Sequence, residues 1–78
     1  MRARERCVVV TFQSTTDLMA FRQACRQADI PGRTIPVPRL LSASCGTAWK
    51  SDAVYKERLS ELAGSKELTY QEIHEMIL

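Results

Sequence analysis

Leu68-Thr69-Tyr70-Gln71-Glu72-Ile73-His74-Glu75-Met76-Ile77-Leu78 can be read two ways, and the choice decides the fold. Thr69 with Glu72 three residues on makes a capping box, and Ile73, Met76 and Ile77 recur at helical spacing. These local signals favour a helix. A strand from Leu68 to about Ile73 would instead complete a four-stranded sheet, and the upstream pattern asks for one.

That pattern begins with Cys7-Val8-Val9-Val10-Thr11-Phe12, β-branched and apolar on both faces, as a strand covered on two sides requires. Gln13-Ser14-Thr15-Thr16-Asp17 supplies N-cap candidates, after which Leu18, Phe21, Cys25 and Ala28 recur at helical spacing among Arg22, Gln23, Arg26 and Gln27. Asp29-Ile30-Pro31-Gly32 ends this helix, because Pro31 restricts the residue before it. Arg33-Thr34-Ile35-Pro36-Val37 alternates as a short strand, and Pro36 confines it to an edge. Pro38 to Gly46 reads as loop and Thr47-Ala48-Trp49-Lys50 as a third strand. Ser51-Asp52 caps a second helix with Tyr55, Leu59 and Leu62 on one face, and Gly64 suits its C′ position. Two helices then need a sheet face to cover. The strand reading of the C-terminal segment, with room for a helical tail, gives the order β-α-β-β-α-β. The expected fold is α+β, a ferredoxin-like split βαβ sandwich with a small antiparallel sheet and both helices on one face.

The 78 residues suffice for a single domain over 1–78, with residues 1–6 expected to form a basic N-terminal arm around Arg2, Arg4 and Arg6. Three cysteines cannot all pair within one chain, which argues against a disulfide scaffold. No apolar run is long enough to span a membrane, and the N-terminus does not read as a signal peptide, so the expected location is cytoplasmic. Eleven Lys and Arg against nine Asp and Glu give a net charge of +2, too balanced to point to nucleic acid. The charge is uneven, however. Arg22, Arg26, Arg33, Arg39 and Lys50 lie in the first fifty residues, and the remainder is acidic.

The most informative residue within that basic part is Cys45. It follows Ile35-Pro36-Val37-Pro38-Arg39-Leu40-Leu41-Ser42-Ala43-Ser44 and precedes Gly46. Prolines stiffen the approach, and serine, alanine and glycine leave little bulk around the sulfur, so a thiol held for chemistry at a surface loop is the expectation. Nearby Arg39 or Lys50, with loop N–H groups, would favour the thiolate. Cys7 on its strand and Cys25 on the apolar helix face read as packing residues, although a redox partnership of Cys25 with Cys45 stays open.

The segments Val10-Thr11-Phe12-x-Ser14-Thr15, Ile30-Pro31-Gly32-x-x-Ile35-Pro36-Val37-Pro38-Arg39 and Ser42-x-Ser44-Cys45-Gly46-x-Ala48 resemble the selenium/sulfur-carrier-like proteins, small bacterial domains. The resemblance runs over roughly residues 7 to 75, and its specific core is Pro-x-Pro-Arg followed by Ser-Cys-Gly. It implies a carrier rather than a self-sufficient enzyme. Cys45 would accept sulfur or selenium as a persulfide-type adduct, supported by Gly46, Arg39, Ser44 and Lys50. Partners would be transient donor and acceptor proteins, with no nucleic acid, membrane or cofactor involved. Thr47 and Trp49 depart from the aliphatic residues expected in relatives.

Other chemistry has weaker support. Cys7, Cys25, Cys45 and His74 are too scattered for the close ligand pairs of a metal site, and His74 among Glu72 and Glu75 reads as a solvated histidine. Arg39 suits either an anionic partner or plain solvation. Trp49 should pack on the sheet. A non-catalytic interaction or regulatory module of the same fold is the alternative to a carrier. RNA binding on the sheet face has less to recommend it, since Phe12 ends its strand and Trp49 stands alone among the later strands.

Overall fold

A computed structural model describes residues 5–41 and 45–77. The first strand, β1 (Arg6–Thr11), leads into helix α1 (Thr15–Gln27). Strands β2 (Arg33–Pro36) and β3 (Thr47–Asp52) follow, then a 3-10 turn at Ala53–Tyr55, helix α2 (Lys56–Ser65) and strand β4 (Glu72–Ile77). The sheet has the order β2-β3-β1-β4 with every neighbouring pair antiparallel. This is the split βαβ arrangement expected from the sequence, with the apolar run of β1 in the middle.

Val8, Val9 and Val10 are fully buried, because each face of β1 has its own cover. Val8 and Val10 point to the helices and share a core with Leu18, Phe21 and Cys25 of α1, Leu59 and Ala63 of α2, and Trp49. Cys7, Val9 and Ala48 point the other way, where Ile35, Val37, Leu41 and Met76 pack on them. Trp49 is buried, as expected, and its indole N–H donates to Ser51 Oγ at 2.8 Å, so its polar edge is satisfied inside the core.

Both helices end in the same device. Beyond α1, the Ile30 N–H donates to the Cys25 carbonyl at 2.9 Å, and Asp29 takes a left-handed φ of 57°. Beyond α2, the Leu68 N–H donates to the Ala63 carbonyl at 2.9 Å, and Glu67 takes φ of 52°. These are Schellman closures with an apolar residue returning to the core after each. Gly64, expected at the C′ position of α2, lies inside the helix instead, and Glu67 accepts the left-handed conformation. Asp52 caps the 3-10 turn through the Val54 N–H at 3.2 Å, and α2 proper starts only after it.

The C-terminal segment is a strand, but it starts four residues later than expected and continues to Ile77 with no helical tail among the described residues. The capping box does not form. The Glu72 N–H donates to Thr11 Oγ1 at 3.1 Å, and the Gln71 N–H to the Thr11 carbonyl at 2.7 Å, so pairing with β1 captures the donors a helix would have used. Arg6, read as the end of a basic arm, opens β1 and is ion-paired with Glu75, which also lies 3.6 Å from Lys56 Nζ. Arg2 and Arg4 lie outside the described residues.

Candidate functional site

Strands β1 and β2 run one way and β3 and β4 the other. The link from β1 to α1, the link from β2 to β3 and the link from α2 to β4 therefore meet at one end of the sheet, and Cys45 is there. Its placement follows from the strand ends. Pairing of β2 with β3 continues one step past Pro36 and Thr47, with the Val37 N–H donating to the Gly46 carbonyl at 3.1 Å. The Cys45 N–H donates to the carbonyl of Phe12 at 3.1 Å, using an acceptor left open where β1 stops. Side chains alternate along the chain from there, so Cys45 faces the helices, as does Trp49.

The sulfur is therefore not on the surface. Cys45 is 8% exposed and packs in the cluster of Phe12, Leu18 and Phe21, a correction to the surface thiol expected from the loop composition. The residues around it are small and polar in the sequence, yet the backbone tether to Phe12 turns its side chain inward. Its Sγ lies 3.8 Å from the Thr15 hydroxyl, the first residue of α1, in a part-buried contact where either atom can donate. Ser14 caps that helix end, its hydroxyl accepting the Asp17 N–H at 3.2 Å. The first turn of a helix presents unpaired N–H groups and the positive end of its dipole.

Thr15 is the functional candidate that sequence reasoning missed. It belongs to the Ser14-Thr15 pair that carries the family resemblance, but it reads there only as one of several capping residues. Nothing local reveals that a loop thirty residues later returns to it.

The other expected supports are distributed unevenly. Arg39 is exposed on a turn closed by the Leu41 N–H and the Pro38 carbonyl at 2.9 Å, with Leu40 beside it 88% exposed. Gly46 contributes its carbonyl, as above, but a Cβ there would meet nothing within 4 Å and its φ is not positive. Its lack of a side chain is not what the site needs. Lys50 does not join Cys45. It stands opposite Val9 and Arg33 on the sheet face away from the helices, because even-numbered positions of β3 point that way. Ser44 lies outside the described residues.

The remaining thiols are separate. Cys7 is buried on the opposite face of the sheet. Cys25 is fully buried near the C-terminal end of α1, and burial pushes its thiol up to about 11 from the ordinary value of about 9. Ten residues of helix separate Cys25 from Thr15, roughly 15 Å at 1.5 Å per residue, so a Cys25–Cys45 disulfide would need α1 to be displaced. Cys7, Cys25 and Cys45 are not joined by a disulfide. His74 Nε2 lies 3.4 Å from Glu72 Oε1, a carboxylate neighbour as expected. No group of three or more His, Cys, Asp or Glu that could hold a metal ion occurs among the described residues. No helix among them is long and apolar enough to cross a membrane.

The family model described as "Putative Se/S carrier protein-like" matches residues 7–75, and the chain belongs to that family. No curated protein and no solved structure matches it.

Proposed function

We propose that this protein carries sulfur or selenium on Cys45 and passes it between partner proteins. The observation that carries the reading is the position of the Cys45 sulfur, held between the end of β1 and the first residue of α1 within the family-matched segment. In sulfur loading, the Cys45 thiolate attacks the outer sulfur of a donor enzyme's persulfide. A new S–S bond forms on Cys45, the donor's S–S bond breaks, and the donor cysteine leaves as thiolate. No net oxidation occurs, and delivery to an acceptor thiol repeats the exchange in reverse roles. A terminal persulfide anion is stabilised by a hydroxyl donor and by the positive end of a helix; the Thr15 hydroxyl lies 3.8 Å from the sulfur, on the first residue of α1. Apolar packing around the sulfur shields the adduct from stray thiols.

The test is mass spectrometry after incubation with a cysteine desulfurase and free cysteine. The expected result is a mass increase of one sulfur atom on Cys45, absent in Cys45→Ser. A folded protein that gains no sulfane sulfur, while Cys45→Ser still binds the same partner, would return the protein to the interaction-module reading.

A further inference from the structure

The two edges of the sheet differ in how they are protected. β2 has four residues, of which Arg33 is a cation and Pro36 lacks a donor. Shortness, charge and proline are the usual devices that stop an edge strand from recruiting another chain. β4 has only charge, at Glu72 and Glu75, and Glu75 is already paired with Arg6 and near Lys56. It runs six residues, Glu72 to Ile77, without proline, lysine or arginine, and its register with β1 is unbroken from Arg6–Ile77 to Thr11–Glu72, with no bulge to twist the edge away. Its outer side has no strand neighbour among the described residues, and Ile77 is 56% exposed at its end.

We infer that β4 pairs antiparallel with β4 of a second copy, joining two four-stranded sheets into one of eight strands. A two-fold axis perpendicular to the sheet keeps each face continuous, so residues directly opposite one another must point the same way. Two registers then give the longest overlap. Centring on His74 sets Ile73 against the Glu75 carboxylate and His74 against itself. Centring on Glu75 sets Ile73 opposite Ile77 and His74 opposite Met76, so the exposed isoleucine gains an apolar cross-strand partner. Glu75 then faces its own copy, but each carboxylate already has Arg6 and Lys56 beside it, which offsets the like-charge repulsion. The Glu75-centred register is the one selected. A single strand pair buries little area, so the dimer is weak and concentration-dependent.

Sedimentation of the full chain from about 1 μM to about 1 mM should show a reversible monomer–dimer equilibrium. Ile77→Lys places a charge on the edge and should weaken association by roughly tenfold or more. Its circular dichroism and melting temperature should be unchanged, because Ile77 is more than half exposed. Glu75→Cys should form an intermolecular disulfide under mild oxidation, whereas His74→Cys should not, since position 74 stands opposite 76. The unsubstituted chain, with its three thiols buried, is the control. A chain that stays monomeric throughout overturns the inference. So does a dimer that Ile77→Lys leaves intact, as when another surface mediates it, and cross-linking faster through position 74 than 75 overturns the register.

Discussion

At the end of the sheet where α1 turns into β2, a Cβ on Gly32 would lie 2.5 Å from Trp49 Cζ2, 2.6 Å from the Lys50 carbonyl and 2.6 Å from Ser51 Oγ. At the other end, where β2 passes towards β3, a Cβ on Gly46 would meet nothing within 4 Å. In the sequence each of these two glycines directly precedes a strand, Gly32 before β2 and Gly46 before β3. In the structure one is a point of closest approach between a turn and the backbone of β3, and the other lies beside the candidate carrier thiol with open space around it. The end holding Gly32 and Cys25 is tightly packed. The end holding Cys45 is held by the backbone bonds from Cys45 to Phe12 and from Val37 to Gly46, with the Cys45 side chain packed inward and the Gly46 side open.

The largest effect should come from closing the gap at the packed end. Gly32→Ala cannot be relieved by moving one flexible side chain, because the Lys50 carbonyl belongs to a paired strand. A loss of about 3 kcal/mol is expected, at the upper end for overpacking. Gly46→Ala should change stability by less than about 1 kcal/mol, since neither sterics nor a left-handed φ requires glycine there. Urea unfolding of the two variants measures the difference directly. Equal losses would break the contrast between the two ends.

A smaller effect follows from the buried thiol of the packed end. The Cys25 thiol is pushed up to about 11 by burial, whereas an unfolded chain releases that proton near 9. Below pH 9 the thiol is neutral in both states and full stability is present. Between pH 9 and 11 the unfolded state ionises while the folded state holds its proton, so stability falls as pH rises. The loss approaches about 2–3 kcal/mol. Lysines and tyrosines titrate over the same range, so the informative quantity is the difference between the unsubstituted chain and Cys25→Ala. Denaturant midpoints of the two should converge as pH rises from 8 to about 11. A constant gap would mean that Cys25 is not sealed as the packing indicates.

What the sequence disclosed follows the same division. β1, α1 and the edge position of β2 were legible because burial on two faces, helical spacing and Pro36 each constrain local pattern directly. The four-residue shift of β4 was not. The Thr69 and Glu72 capping box is a sound local signal, and it lost to donors captured by Thr11, sixty residues away in the chain. At the site, Cys45 was singled out, but its inward direction depends on the free carbonyl of Phe12, and the separation of Lys50 depends on strand parity. Both are properties of the pairing, invisible in a loop's composition.

The smallest expected change in stability, with the most specific functional consequence, is Thr15→Val. The substitution keeps the side-chain volume near the Cys45 sulfur and removes the Thr15 hydroxyl contact to it. Loss of one part-buried contact to sulfur should cost no more than about 1 kcal/mol, and Ser14 still caps α1. If the hydroxyl stabilises the persulfide anion, loading of Cys45 should slow by about tenfold, equivalent to roughly 1.4 kcal/mol in the transition state. Thr15→Ser should restore most of the rate. A purely structural role would make Thr15→Val and Thr15→Ser alike in sulfur uptake, with any defect following their unfolding midpoints. If the rate follows the hydroxyl while the midpoints stay together, the Cys45 end of the sheet is shaped by its chemistry, as the Gly32 end is shaped by its fold.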